Sequence, residues 1–225
     1  MPISPLPLSY NQVSWPGVGD IDDCQVIAAF WAVVAAGHAT KSTLPSVTTF
    51  RAKAGNPDDP NRADGLTNAQ SLAAIKALWP KAGAYSYVGG SDGFYAALRS
   101  GSVISLSVKS SLLPSAMRYG FAGLHQIAVA NVGGSWLVMN PLQPSGTKAV
   151  AISASALSAA ARGFLGDGKF HAVVVPMKPT PPPPVVDPTV ALKAEITALK
   201  KQVADKQTII DTLTAKIASA RSALL

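Results

Sequence analysis

From Cys24 to Ala36 almost every position is apolar: Cys24-Gln25 leads into Val26-Ile27-Ala28-Ala29-Phe30-Trp31-Ala32-Val33-Val34, and Gly37 closes the run. A helix that is apolar on every side is buried on every side, so the segment predicts a central helix with a glycine stop. Asn68 to Leu78 carries a second helical pattern that ends before Pro80, and Asp92 to Arg99 a third, shorter one. The period then changes. Val103 to Val108 reads as a strand, and Gln126–Val132 with Trp136–Met139 reads as a hairpin across Gly133-Gly134. Ser153 to Ala161 returns to helix and His171 to Val175 to strand. Helices followed by antiparallel strands predict an α+β domain in which the N-terminal helix packs on the sheet.

A proline tract interrupts this pattern. Pro179-Thr180-Pro181-Pro182-Pro183-Pro184, continuing to Val185-Val186-Asp187-Pro188, cannot hold a hydrogen-bonded element and predicts an extended, semi-rigid spacer. The chain is therefore read as a domain over residues 1–178, a linker over 179–189 and a helix over 190–225. In the last segment Leu192, Ile196, Leu199, Val203, Ile210, Leu213, Ile217 and Leu224 follow heptad spacing, with Lys206 and Ala220 as its weak places. Isoleucine and valine at one seam position and mostly leucine at the other favour a parallel homo-oligomer, dimer or trimer. One amphipathic helix folded back on the domain is the other reading, and the stiff spacer argues against it.

Composition narrows the classes. The 225 residues are 48% hydrophobic and 14% charged, and no apolar run reaches the roughly 18 residues of a membrane span. Met1 to Leu8 has no basic segment and is broken by prolines, so no signal peptide is expected. The net charge of +7 is spread along the chain rather than clustered with aromatics, which points to solubility and away from specific nucleic-acid binding. One cysteine excludes an internal disulfide framework. Three histidines, at 38, 125 and 171, form no zinc spacing, so neither metal nor cofactor is expected.

The single cysteine sits where chemistry can use it. Cys24 stands at the first turn of the predicted helix, where unpaired backbone N–H groups and the positive end of the helix dipole favour thiolate. A lone cysteine on an apolar helix is more often a small buried hydrophobe. Two residues about a hundred positions downstream change that balance. His125 opens one strand of the hairpin and Asn140 closes the other, so pairing of the strands makes them neighbours.

These segments resemble the bacteriocin-processing peptidases, the papain-like enzymes that remove double-glycine leaders. The resemblance rests on Asp23-Cys24 with Gly37 thirteen residues later, on Gly65-Leu66-Thr67 before a helix, and on Leu98-Arg99-Ser100-Gly101-Ser102-Val103-Ile104 entering a strand. It continues through His125 before Ile127-Ala128-Val129 and Asn140-Pro141 after Trp136-Leu137-Val138-Met139, covering most of residues 15–176. It implies a papain-like cysteine-peptidase fold with Cys24 as nucleophile, His125 as proton carrier and Asn140 holding the imidazole. Two positions depart from the family. Asn140 stands where the family more often has Asp. Val18 stands where a Gln six residues before the cysteine usually donates to the oxyanion, leaving Gln12 or Asn11 as donor candidates from a longer loop. Asp20 and Asp22, beside Asp23, add negative charge that opposes a thiolate.

Two functions follow as expectations. The first is a structural or display protein of the kind found in bacteriophage virions, a papain-like head on a coiled-coil stalk with weak or no turnover. Its partners would be other virion or cell-surface proteins, and its place the virion or the cytoplasm of the producing cell. The alternative is an active cysteine peptidase or cell-wall peptide amidase using Cys24, His125 and Asn140.

Overall fold

Helix α1 (Cys24–Ala35) is buried without interruption from Gln25 to Val33, as a helix lacking a polar face must be. The computed structural model to which it belongs describes residues 23–57, 65–144, 147–179 and 188–222. Gly37, at φ +80°, ends α1. Its N–H donates to the Val34 carbonyl and that of His38 to the Val33 carbonyl, a closure that needs a left-handed residue and satisfies the last carbonyls.

The sheet comprises β1 (Tyr85–Gly89), β2 (Val103–Lys109), β3 (Leu124–Val132), β4 (Ser135–Met139), β5 (Val150–Ile152) and β6 (Phe170–Val175), in the order β1-β6-β2-β3-β4-β5. Every neighbouring pair is antiparallel. Alternation along the strands feeds two cores. Val103, Ala128, Val173 and Val175 pack with α1, α2 (Val47–Lys53) and α3 (Asn68–Leu78). Ile104, Leu106, Ile127, Val129 and Val174 pack with Phe94 and Leu98 of α4 (Ser91–Arg99) and Leu157 of α5 (Ala154–Arg162). The result is an α+β domain with an antiparallel sheet between two helical layers.

Turn chemistry sets the register that matters for the site. Gly133 and Gly134 have φ of +58° and +86°, the pair of left-handed residues that a two-residue hairpin loop requires. The Asn131 side chain accepts from Gly134 N–H at 3.0 Å. Val132 then pairs with Ser135 and Ala128 with Met139, so His125 and Asn140 come to the same end of the hairpin.

Three elements carry no pattern that the sequence exposes. Strand β1 lies at a sheet edge with no buried face, β5 has only three residues, and α2 contributes Val47, Phe50 and Arg51 to the interior from only seven residues. Edge strands and helices of about two turns have too few core positions to show a period.

The chain splits into two compact units, Met1–Pro179 and Thr180–Leu225. The second contains α6 (Pro188–Ser222), which starts two residues before the expected 190 with proline at its first position, where a missing N–H is tolerated. Along α6, Leu192, Ile196, Leu199, Val203, Ile210, Leu213 and Ile217 are 46% to 68% exposed, and Ile209 beside the seam is 58% exposed. Leu224 lies outside the described residues. Among the described residues no helix is long and apolar enough to cross a membrane.

Candidate active site

Cys24 is the first residue of α1. The helix begins with Ile27 N–H bonded to the Asp23 carbonyl at 3.0 Å. The amides of Gln25 and Val26 therefore have no intrahelical acceptor, and the Asp23 side chain does not cap them. Cys24 is partly exposed and lines a cavity of about 310 Å3. Among the described residues that cavity is shared with Gln25, Leu66, Phe121, Leu124, His125, Gln126 and Phe164. The buried helix thus presents its N-terminus, with the thiol, to the same space that the imidazole borders.

His125 and Asn140 are joined by a bond of 2.8 Å between Nε2 and Oδ1, with 4% and 1% of their surfaces exposed. Asn140 cannot be turned over. Its Nδ2 donates to the Met117 carbonyl at 2.8 Å, and its Oδ1 accepts from Leu142 N–H at 2.8 Å. The oxygen must therefore face His125, so Nε2 carries the proton and Nδ1 is left as the basic nitrogen. Gln143 holds the loop beyond: its Oε1 accepts from Asn140 N–H at 2.9 Å and its Nε2 donates to Thr147 Oγ1 at 2.9 Å. On the other side the Phe121 ring lies 5.5 Å from the imidazole. Gly123 makes room for it, since a Cβ there would approach that ring to 2.8 Å.

The Met117 contact suits an asparagine at this position. An aspartate would place an anion against a carbonyl oxygen in a buried site, losing a hydrogen bond and gaining a repulsion.

Burial lowers the pKa of His125 from 6.5 to about 4, with the Asn140 bond pulling in the opposite direction. The unfolded chain takes up this proton near pH 6.5 and the folded one near 4, so between those values the unfolded state binds more protons. Stability is therefore complete above about pH 6.5 and falls towards pH 4, by about 3 kcal/mol from this group. Urea midpoints measured from pH 7 to pH 4.5 are expected to fall more steeply for the native chain than for His125→Leu. Parallel curves would contradict the assignment.

The acidic loop is compensated in part. Asp23 and Arg51 form a buried ion pair, Nη1 to Oδ1 at 2.9 Å, with side chains 1% and 0% exposed. The guanidinium stands against the Asp23 carboxylate and offsets its charge beside Cys24. Asp20, Asp22, Val18, Asn11 and the oxyanion candidate Gln12 lie outside the described residues.

No protein-family model matches the chain, and no curated protein matches it. Among solved structures, a candidate C39-like peptidase from Bacillus anthracis is similar over 80% of this chain and 98% of its own, with a TM-score of 0.54 and 12% identity. The fold is papain-like. At that identity the likeness concerns the fold alone.

Within this papain-like fold the other two histidines take structural bonds. Nε2 of His38 lies 2.7 Å from the Pro176 carbonyl and Nε2 of His171 2.9 Å from Asp167 Oδ2. Among the described residues no group of three metal-binding side chains occurs. Arg51 has no local signature in the sequence, since it occupies a short helix without period. Ser105 and Ser107 alternate with Ile104, Leu106 and Val108 along β2, and both are buried at 0% and 2% exposure with Gln126 opposite Ser107.

Proposed function

We propose that the head is a papain-type thiol hydrolase of slow turnover acting on peptide or amide bonds, carried on a helix that self-associates. The observation that supports the chemistry best is the His125–Asn140 pair of fixed polarity on the cavity that Cys24 borders. In this reading the Cys24 thiol gives its proton to His125 Nδ1 while sulfur bonds to the substrate carbonyl carbon. The resulting oxyanion is met by backbone N–H groups at the start of α1. The imidazolium then protonates the leaving amine as the C–N bond breaks, giving a thioester. Water attacks the thioester, returning its proton through His125, and releases the acid and the thiol.

Slow turnover follows from two features. A base whose pKa lies near 4 accepts a proton at some cost in driving force at neutral pH, and Val18 supplies no side-chain donor for the oxyanion. The same features favour a second reading, a display head with an idle nucleophile of the kind suited to a virion component. Mass spectrometry distinguishes the two. Incubation with peptide or cell-wall fragments should leave a Cys24 thioester and cleaved product that vanish in Cys24→Ala. Intact substrate and unmodified Cys24 would favour display.

The apolar ladder on α6 supports self-association, because a stripe of half-exposed leucine and isoleucine at heptad spacing is a surface made for burial. Light scattering is expected to show the full chain as a dimer or trimer, and Ile210→Asp shifted towards monomer. A monomeric full chain would remove the stalk from this reading.

A further inference from the structure

The residue after the nucleophile and the residue after the base are both glutamines, and both reach one oxygen. Gln25 Nε2 donates to Asn68 Oδ1 at 2.6 Å, and Gln126 Nε2 donates to the same atom at 3.3 Å. The set is closed further on. Asn68 Nδ2 donates to Ser107 Oγ at 3.0 Å, Ser107 Oγ donates to Gln126 Oε1 at 2.8 Å, and Gln126 Nε2 also reaches Ser105 Oγ at 2.9 Å. Each donor in this chain meets an acceptor, so no single amide can turn over without losing bonds. Gln25, Gln126, Ser105 and Ser107 are 5% exposed or less, where such bonds are strong and their loss is felt.

Asn68 is itself held. It is the first residue of α3, behind a capping box in which Thr67 and Gln70 satisfy each other's backbone N–H groups. The anchor is therefore a helix N-terminus rather than a mobile side chain. It ties the first turn of α1, which carries Cys24, to the start of β3, which carries His125.

Building on the hydrolase reading, we infer that Asn68 is a positioning residue: its Oδ1 sets the separation of thiol and imidazole by holding the neighbour of each. Proton transfer needs the two groups within hydrogen-bond reach. A shift of one ångström in α1 against β3 is enough to lose it. Nothing in this role requires Asn68 to touch substrate.

The test is the pH dependence of Cys24 alkylation by iodoacetamide in the full chain. In the native protein base assistance should hold the rate nearly level from pH 5 to pH 7, whereas a lone thiol loses about ten-fold per pH unit there. Asn68→Ala is expected to lower the rate at pH 5.5 by about ten-fold or more while leaving it within about two-fold at pH 9, where thiolate forms without help. Gln25→Leu should reproduce that profile, and it carries the test if Asn68→Ala does not fold. A role confined to stability would change the unfolding midpoint and leave the ratio of rates at the two pH values intact. A level native profile retained in both variants overturns the positioning role while the hydrolase reading stands. A native profile that already falls as a lone thiol does overturns both.

Discussion

Arg51→Met is expected to lower the free energy of unfolding by about 3–5 kcal/mol, the usual consequence of removing one partner from a buried ion pair. The guanidinium is fully buried and lies 2.9 Å from a carboxylate that is itself 1% exposed. Methionine preserves the volume, so the loss is electrostatic rather than a cavity. The double substitution Asp23→Leu with Arg51→Met should recover most of the stability, since replacing both charges by apolar groups is often neutral. Urea unfolding of the two variants decides it. A single variant within about 1 kcal/mol of the native chain would mean that the pair is not the compensation the structure shows. The same arginine bears on the proposed chemistry, because Asp23 directly precedes Cys24 and the guanidinium offsets its negative charge there.

Asn140→Ala is expected to reduce any His125-dependent reaction of Cys24 by roughly two orders of magnitude, the lower end of what a well-oriented acid–base group supplies. Three bonds go together: those to His125 Nε2, to the Met117 carbonyl and to Leu142 N–H. With them goes the constraint that leaves Nδ1 as the basic nitrogen. The loop that supplies the Met117 carbonyl is bent, with Tyr119 at φ +49° and Gly120 at +80°. Left-handed backbone at a bulky residue persists where surrounding contacts impose it. Asn140→Asp should keep the acceptor for His125 yet cost stability through its contact with the Met117 carbonyl. Rates measured at pH 6 for both variants separate the orienting role from the structural one. Equal rates in the native chain and Asn140→Ala would end the case for an orienting amide.

The parts of the molecule that were legible in its sequence are those with a long period or a dedicated turn. Helix α1 announced itself because nine consecutive residues from Gln25 to Val33 are buried, and such a helix has no polar face to blur its pattern. The hairpin was legible because Gly133-Gly134, between two apolar strands, admits the left-handed φ values of a tight turn without steric cost. From it followed the meeting of His125 and Asn140 across fifteen positions of sequence. Arg51 and Asn68 were not legible in the same way. Both act through long-range polar bonds, Arg51 to a residue 28 positions away and Asn68 to residues 39, 43 and 58 positions away, and isolated polar contacts leave no periodic trace. The serines of β2 were a readable exception, polar residues placed at alternate positions among Val103, Ile104, Leu106 and Val108.

The central claim is that Cys24 and His125 act as one unit, and the pH–rate profile of Cys24 alkylation in the native chain and in His125→Ala tests it most directly. The account predicts a native rate that stays nearly level between pH 5 and pH 7 and declines only below about pH 4, where His125 takes up its proton. In His125→Ala the level region should vanish, with the rate falling about ten-fold per pH unit below the thiol pKa. A native profile indistinguishable from that of His125→Ala would contradict it.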